Sequence, residues 1–166
     1  MKRMLGPASL AFGVVLSVMI AGCGGKKNEE YDASVPSAVD ADETGNLGSS
    51  DNGTAMGLQT VNFAYDTFTL DSRAKSILKA NADILKDKVT LAIQIEGHCD
   101  ERGSIQYNLA LGEKRARATR DYLMDMGIAG DRVSIISFGE EKPIDTGSGD
   151  AAWARNRRAN FVITAQ

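Results

Sequence analysis

Between Thr90 and Gly139 the chain changes its hydrophobic period twice, and that change restricts the folds open to it. Leu91, Ile93 and Ile95 alternate with Ala92, Gln94 and Glu96, the two-residue period of a strand with one buried face. From Gly103 to Gly127 the period becomes helical. Leu109, Gly112, Ala116, Thr119, Leu123 and Met126 share one face, and Leu111, Arg115, Ala118 and Tyr122 the adjacent stripe. Asp131 and Arg132 then lead into an apolar strand, Val133 to Gly139. A strand, a long helix and a strand in succession predict a sheet covered by helices.

The same reading extends in both directions. Val61 to Tyr65 reads as an earlier strand, and Asp71-Ser72 opens a helix carrying Ala74, Ile77, Leu78, Asn81 and Leu85 at three- and four-residue spacing. The long helix is expected to begin near Asn108. Beyond Glu140-Glu141-Lys142-Pro143, a short helix from Ala151 to Arg155 precedes a last strand, Phe161 to Ile163. The order β-α-β-α-β-(α)-β predicts an α+β domain over 58–166: a four-stranded mixed sheet with helices packed on one face. A domain of about 110 residues holds one core.

What precedes residue 58 has a different character. Lys2 and Arg3 stand before an apolar run from Leu10 to Ile20, which stops at Ala21-Gly22-Cys23. At roughly eleven residues the run is about half what a spanning helix needs, so residues 1–22 read as an export signal. The small residues before Cys23 resemble the lipobox of bacterial lipoproteins, in which the cysteine is acylated and becomes the first residue of the mature chain. From Gly24 to Gly57, seven acidic and two basic residues lie among Ser, Asn, Gly and Thr without apolar periodicity. Residues 23–57 therefore read as a lipidated cysteine and a flexible acidic tether. From Leu58 onward acidic and basic residues number fifteen each. A formally neutral domain argues against nucleic-acid binding.

Few residues offer catalytic chemistry. His98 and Cys99 are neighbours on a strand and point to opposite faces, so the imidazole does not reach the thiol. His98 is the chain's only histidine. Extending the strand alternation places Gly97 and Cys99 on the apolar side and His98 and Asp100 on the other. His98, Cys99 and Asp100 are consecutive and lack metal-ligand spacing, and no glycine-rich phosphate loop is present. The reading is of a protein that is not an enzyme and uses neither metal nor cofactor. The rival, a thiol-dependent hydrolase using Cys99, requires a reactive thiol.

Asp100, at a strand end, and Arg115, whose side chain leans back toward the loop carrying Asp100, form the most informative pair. An aspartate holds an ammonium group and an arginine forks onto a carboxylate, so the two suit a zwitterionic ligand. An internal Asp100–Arg115 salt bridge that only closes the loop fits the same spacing, and the spacing does not choose between them.

Several segments together resemble the peptidoglycan-binding OmpA-like domains, and among them the lipoproteins of the Tol-Pal system: Val61-Asn62-Phe63-Ala64-Tyr65-Asp66, Gly97 to Gly103, Tyr107-Asn108 through Leu111-Gly112 to Arg115-Ala116, Ser137 to Pro143, and Asn156-Arg157-Arg158-Ala159. Ser104-Ile105-Gln106 and Ala64 depart from the common pattern. The resemblance implies noncovalent binding of the meso-diaminopimelate of the peptidoglycan stem peptide, with Asp100 on its ammonium and Arg115 on its carboxylate. It further implies that Tyr65 and Asp66 line the pocket, that Leu111 supplies an apolar wall, and that Asn108 and Gly103 organise the loop. By the same resemblance Cys23 carries acyl chains in the outer membrane, facing the periplasm. The partners are then peptidoglycan, TolB and other Tol proteins, and the role is envelope integrity and outer-membrane constriction in cell division. A general OmpA-like tether without Tol partners is the alternative.

Overall fold

A computed structural model describes residues 46–166. The export signal, the lipidation at Cys23 and the tether as far as residue 45 lie outside the described residues. The elements are β1 (Gly48–Ser49), β2 (Val61–Asn62), α1 (Ser72–Asp87), β3 (Ala92–His98), α2 (Ile105–Asp125), β4 (Val133–Gly139), α3 (Asp150–Asn156) and β5 (Arg158–Ala165). The sheet runs β1-β5-β3-β4, and β2 pairs with β5 as well. Among the described strands only β3 and β4 are parallel, with Ile93 opposite Val133 and Gly97 opposite Ser137. β5 lies antiparallel to β3, β1 and β2. The α+β mixed sheet matches the sequence reading, and β1 adds a fifth strand to the four expected.

α1 begins where its cap dictates, with the Asp71 side chain accepting from the Ala74 N–H at 2.7 Å. Its buried positions Ala74, Leu78, Ala82 and Leu85 enter one core with Ile93 and Ile95 of β3, Ala116 and Leu123 of α2, and Phe161 and Ile163 of β5. Asn81, on the same face, is buried without penalty because its side-chain amide exchanges two hydrogen bonds with the Gln59 backbone, at 2.9 and 2.8 Å. α2 begins at Ile105, earlier than the expected Asn108, because Ser104 caps it by accepting from the Tyr107 N–H at 3.2 Å. β2 ends at Asn62, so Phe63 to Tyr65 are not part of the strand that the sequence suggested, although the Phe63 N–H still reaches the Arg157 carbonyl at 2.9 Å.

α2 lies unusually close to the sheet. A β-carbon at Gly97 would fall 1.9 Å from the Gly112 carbonyl oxygen, and one at Gly112 would fall 2.3 Å from Ser137 Oγ. Backbone meets backbone there because neither glycine has a side chain. The next turn of α2 then carries Arg115 into the interior.

The domain begins earlier than residue 58. Gly48 and Ser49 pair with Ile163 and Val162, and a 3-10 turn over Ser50–Asn52 follows. Ser49 Oγ, Ser50 Oγ and the Asp51 N–H all donate to Asn160 Oδ1, at 3.0, 2.8 and 3.0 Å. Asn160 Nδ2 donates to Glu96 at 2.7 Å, and Arg158 Nε meets Asp51 at 2.8 Å. The tether reading of 46–57 is therefore corrected. Its serines, asparagines and Asp51 satisfy polar contacts at the sheet edge, and only Ala55 joins the core. Composition alone scores such a segment as unable to order.

Candidate ligand site

Where β3 ends, the chain departs from strand alternation. The pairing with β4 shifts register between Gly97 and His98, and the Cys99 N–H bonds to the Gly139 carbonyl at 2.7 Å. His98 stays on the face of Glu96, with Nε2 3.5 Å from its carboxylate and the ring stacked on Phe138 at 5.7 Å. Burial lowers its basicity, and Glu96 opposes that only in part. The Cys99 thiol lies on the other side, donating to the Asn108 carbonyl at 3.3 Å. Asp100 was expected beside His98. It instead shares a pocket with Cys99, because β3 has ended and the turn re-aims its side chain.

That pocket has a volume of about 180 Å³ and is bounded by the turn after β2, the β3–α2 loop, the start of α2 and Arg157. It brings together every residue the sequence singled out for ligand contact: Tyr65, Asp66, Asp100, Leu111 and Arg115, with Gly103 and Asn108 beside them. Tyr65 is 61% exposed at the rim. Asp66 sits at the turn with φ 52° and accepts from the Tyr107 hydroxyl, which raises that phenol's pKa. Gly103 adopts φ 122°, outside the reach of L side chains. Asn108 is buried and its amide donates to the carbonyls of Asp100 and Arg102, both at 3.2 Å, and to Glu140, which fixes the loop from below.

Arg115 is 1% exposed, and among the described residues no carboxylate pairs with it. Nε donates to the Thr67 carbonyl at 2.9 Å, Nη1 to His98 O at 2.8 Å and Nη2 to Ala64 O at 3.2 Å. Nη1 also meets Cys99 Sγ at 3.4 Å, a weak acceptor. Burial pulls its pKa below the ordinary value. The guanidinium is thus held in place by neutral carbonyls with no carboxylate in contact, and a buried cation of this kind favours an incoming anion.

Asp100, 3% exposed, does not pair with Arg115, so the loop-closing salt bridge between them is not formed. Its partners are Arg102, at 2.7 Å, and Arg157, at 3.0 Å. Burial alone would raise its pKa, but the hydrogen bonds from Arg102 and then Arg157 outweigh it and hold the carboxyl below its usual range. Sequence reasoning gave neither arginine a role. Both stood in segments noted for resemblance; for Arg102, two residues after Asp100, proximity to the aspartate was the available signal, and for Arg157 there was none beyond its place in Asn-Arg-Arg-Ala.

Burial pushes the Cys99 thiol up to about 11, and Arg115 offsets this only in part. With its pKa raised from 9.0 to about 11, Cys99 is expected to react with maleimide roughly a hundredfold more slowly in the folded chain than in the unfolded one, followed at that residue by peptide mapping. Equal rates would show a reactive thiol.

Fold and site together define an α+β domain with a charged pocket at one end of a mixed sheet. The OmpA family matches residues 62–157, and the chain belongs to that family. It is 38% identical to the peptidoglycan-associated lipoprotein of Rhizobium meliloti (strain 1021) over 90% of this chain and 84% of that one. It is 37% identical to the protein of the same name from Agrobacterium fabrum over 95% and 87%. Among solved structures it is similar to the peptidoglycan-associated lipoprotein from Burkholderia pseudomallei, with 39% identity, 63% of this chain and 88% of that one covered, and a TM-score of 0.61.

Proposed function

We propose that this chain is a noncatalytic envelope anchor whose pocket grips the meso-diaminopimelate of peptidoglycan, Asp100 facing the ligand's ammonium and Arg115 its carboxylate. The observation that carries this reading is the buried Arg115 guanidinium, caged by three carbonyls and lacking a carboxylate partner, in the same pocket as a buried ionised Asp100. Leu111 forms an apolar wall of that pocket, suited to the methylenes between the charged ends. The relatives' name supports peptidoglycan as the ligand. Acyl chains on Cys23 would hold the N-terminus in the outer membrane, and TolB with other Tol proteins would be the protein partners. Anchoring at both ends raises effective concentration, so the pocket itself needs only modest affinity.

The test is sedimentation of the full-length chain, in detergent, with purified peptidoglycan. Asp100→Ala and Arg115→Ala are each expected to reduce the pelleted fraction at least about tenfold, as loss of one charge-assisted contact implies. Arg115→Lys, which keeps the charge and loses the fork, is expected to fall between them and wild type. Undiminished binding in Asp100→Ala and Arg115→Ala would sink the assignment.

A further inference from the structure

Asp100 has no acceptor capacity to spare. A carboxylate offers about four lone-pair sites. Oδ1 accepts from the Arg102 backbone N–H at 3.2 Å and from Arg102 Nε at 3.1 Å. Oδ2 accepts from Arg102 Nη2 at 2.7 Å and Arg157 Nη1 at 3.0 Å. An ammonium group arriving at this carboxylate must therefore displace a donor already in place.

The two arginines differ in how firmly they are held. Arg157 is 13% exposed at its side chain, and its Nε also donates to the Phe63 carbonyl at 3.1 Å. Arg102 is 31% exposed and lies on the loop just before Gly103. Its guanidinium is layered between the rings of Tyr65, at 4.0 Å, and Trp153, at 4.1 Å. Trp153 is fixed in turn by its indole N–H, which donates to Glu101 at 2.9 Å. Both rings attract the cation through their faces, so a guanidinium that leaves Asp100 keeps favourable contacts without returning fully to water.

From this we infer that Arg102 is a displaceable counter-ion: it occupies Asp100 in the unliganded pocket and yields that carboxylate to the ligand's ammonium while remaining between Tyr65 and Trp153. The inference rests on the proposed reading of the pocket and adds a specificity rule to it. An anion lacking the ammonium leaves Arg102 in place and gains only the Arg115 contact. A ligand with both charges opens Asp100 and gains both.

The experiment is an NMR titration of the full-length chain in detergent with meso-diaminopimelate. In wild type the Arg102 Nε–Hε resonance is expected to move on saturation while that of Arg157 stays. Arg102→Gln is expected to bind meso-diaminopimelate about three- to tenfold more tightly than wild type, the range of a partly exposed charge-assisted pair. An Arg102 resonance that does not move, or equal or weaker binding by Arg102→Gln beside Asp100-dependent binding in wild type, overturns displacement and leaves the pocket assignment standing. Binding by wild type that is no stronger than by Asp100→Ala overturns both.

Discussion

Alanine at Gly97 is expected to cost the fold about 3 kcal/mol or more, the upper range for overpacking a rigid interior. The added carbon would stand 1.9 Å from the Gly112 carbonyl oxygen. The obstacle is helix backbone, which cannot rotate aside as a side chain would. Relief requires α2 to move off β3, and α2 carries Ala116 and Leu123 in the core and Arg115 in the pocket. Thermal unfolding of Gly97→Ala should show a midpoint lowered by roughly 10 °C or more. Because the shift of α2 withdraws Arg115, peptidoglycan binding should weaken in the molecules that remain folded. A midpoint within about 2 °C of wild type would show the contact to be compliant.

The second large effect is expected at the sheet edge. Asp51→Ala leaves Arg158, 2% exposed, without its counter-ion, and breaking such a pair costs about 3 kcal/mol. The remaining acceptors of Arg158 are the neutral carbonyls of Asn156 and Lys142, both at 3.2 Å. Replacing both partners removes the stranded charge, so Asp51→Ala combined with Arg158→Met should be more stable than Asp51→Ala alone. Chemical denaturation of wild type, Asp51→Ala, Arg158→Met and the double variant measures this coupling. Were Asp51→Ala as stable as wild type, the Asp51–Arg158 ion pair would be shown to contribute nothing to the domain.

How far the sequence reveals this molecule depends on what holds each part. β3, β4 and α1 are legible because apolar side chains facing one core impose a period. The pocket residues were legible as residue types placed at a strand end and in a helix. Strand parity separated His98 from Cys99, and the structure keeps them apart, but parity does not extend past the register shift after Gly97, so Asp100 turned into the pocket with the thiol. β1 escaped notice because hydrogen bonds to Asn160 and a buried ion pair hold it, and such contacts leave no hydrophobic pattern. The more distant partner of Asp100 was hidden for a related reason. Arg157 comes from a point 57 residues further along the chain, and no local spacing announces it.

The place where the chain joins the sheet has a mechanical consequence. Leu47 bonds to the Ile163 carbonyl, toward one end of β5, while Arg157, just before the other end, lines the pocket. Six residue steps separate these positions, about 20 Å. Load applied at residue 46 and resisted at the pocket therefore runs lengthwise along β5, across its rungs to β3. In that direction the rungs share the pull instead of parting one by one, and the domain is braced as a tie between opposite poles.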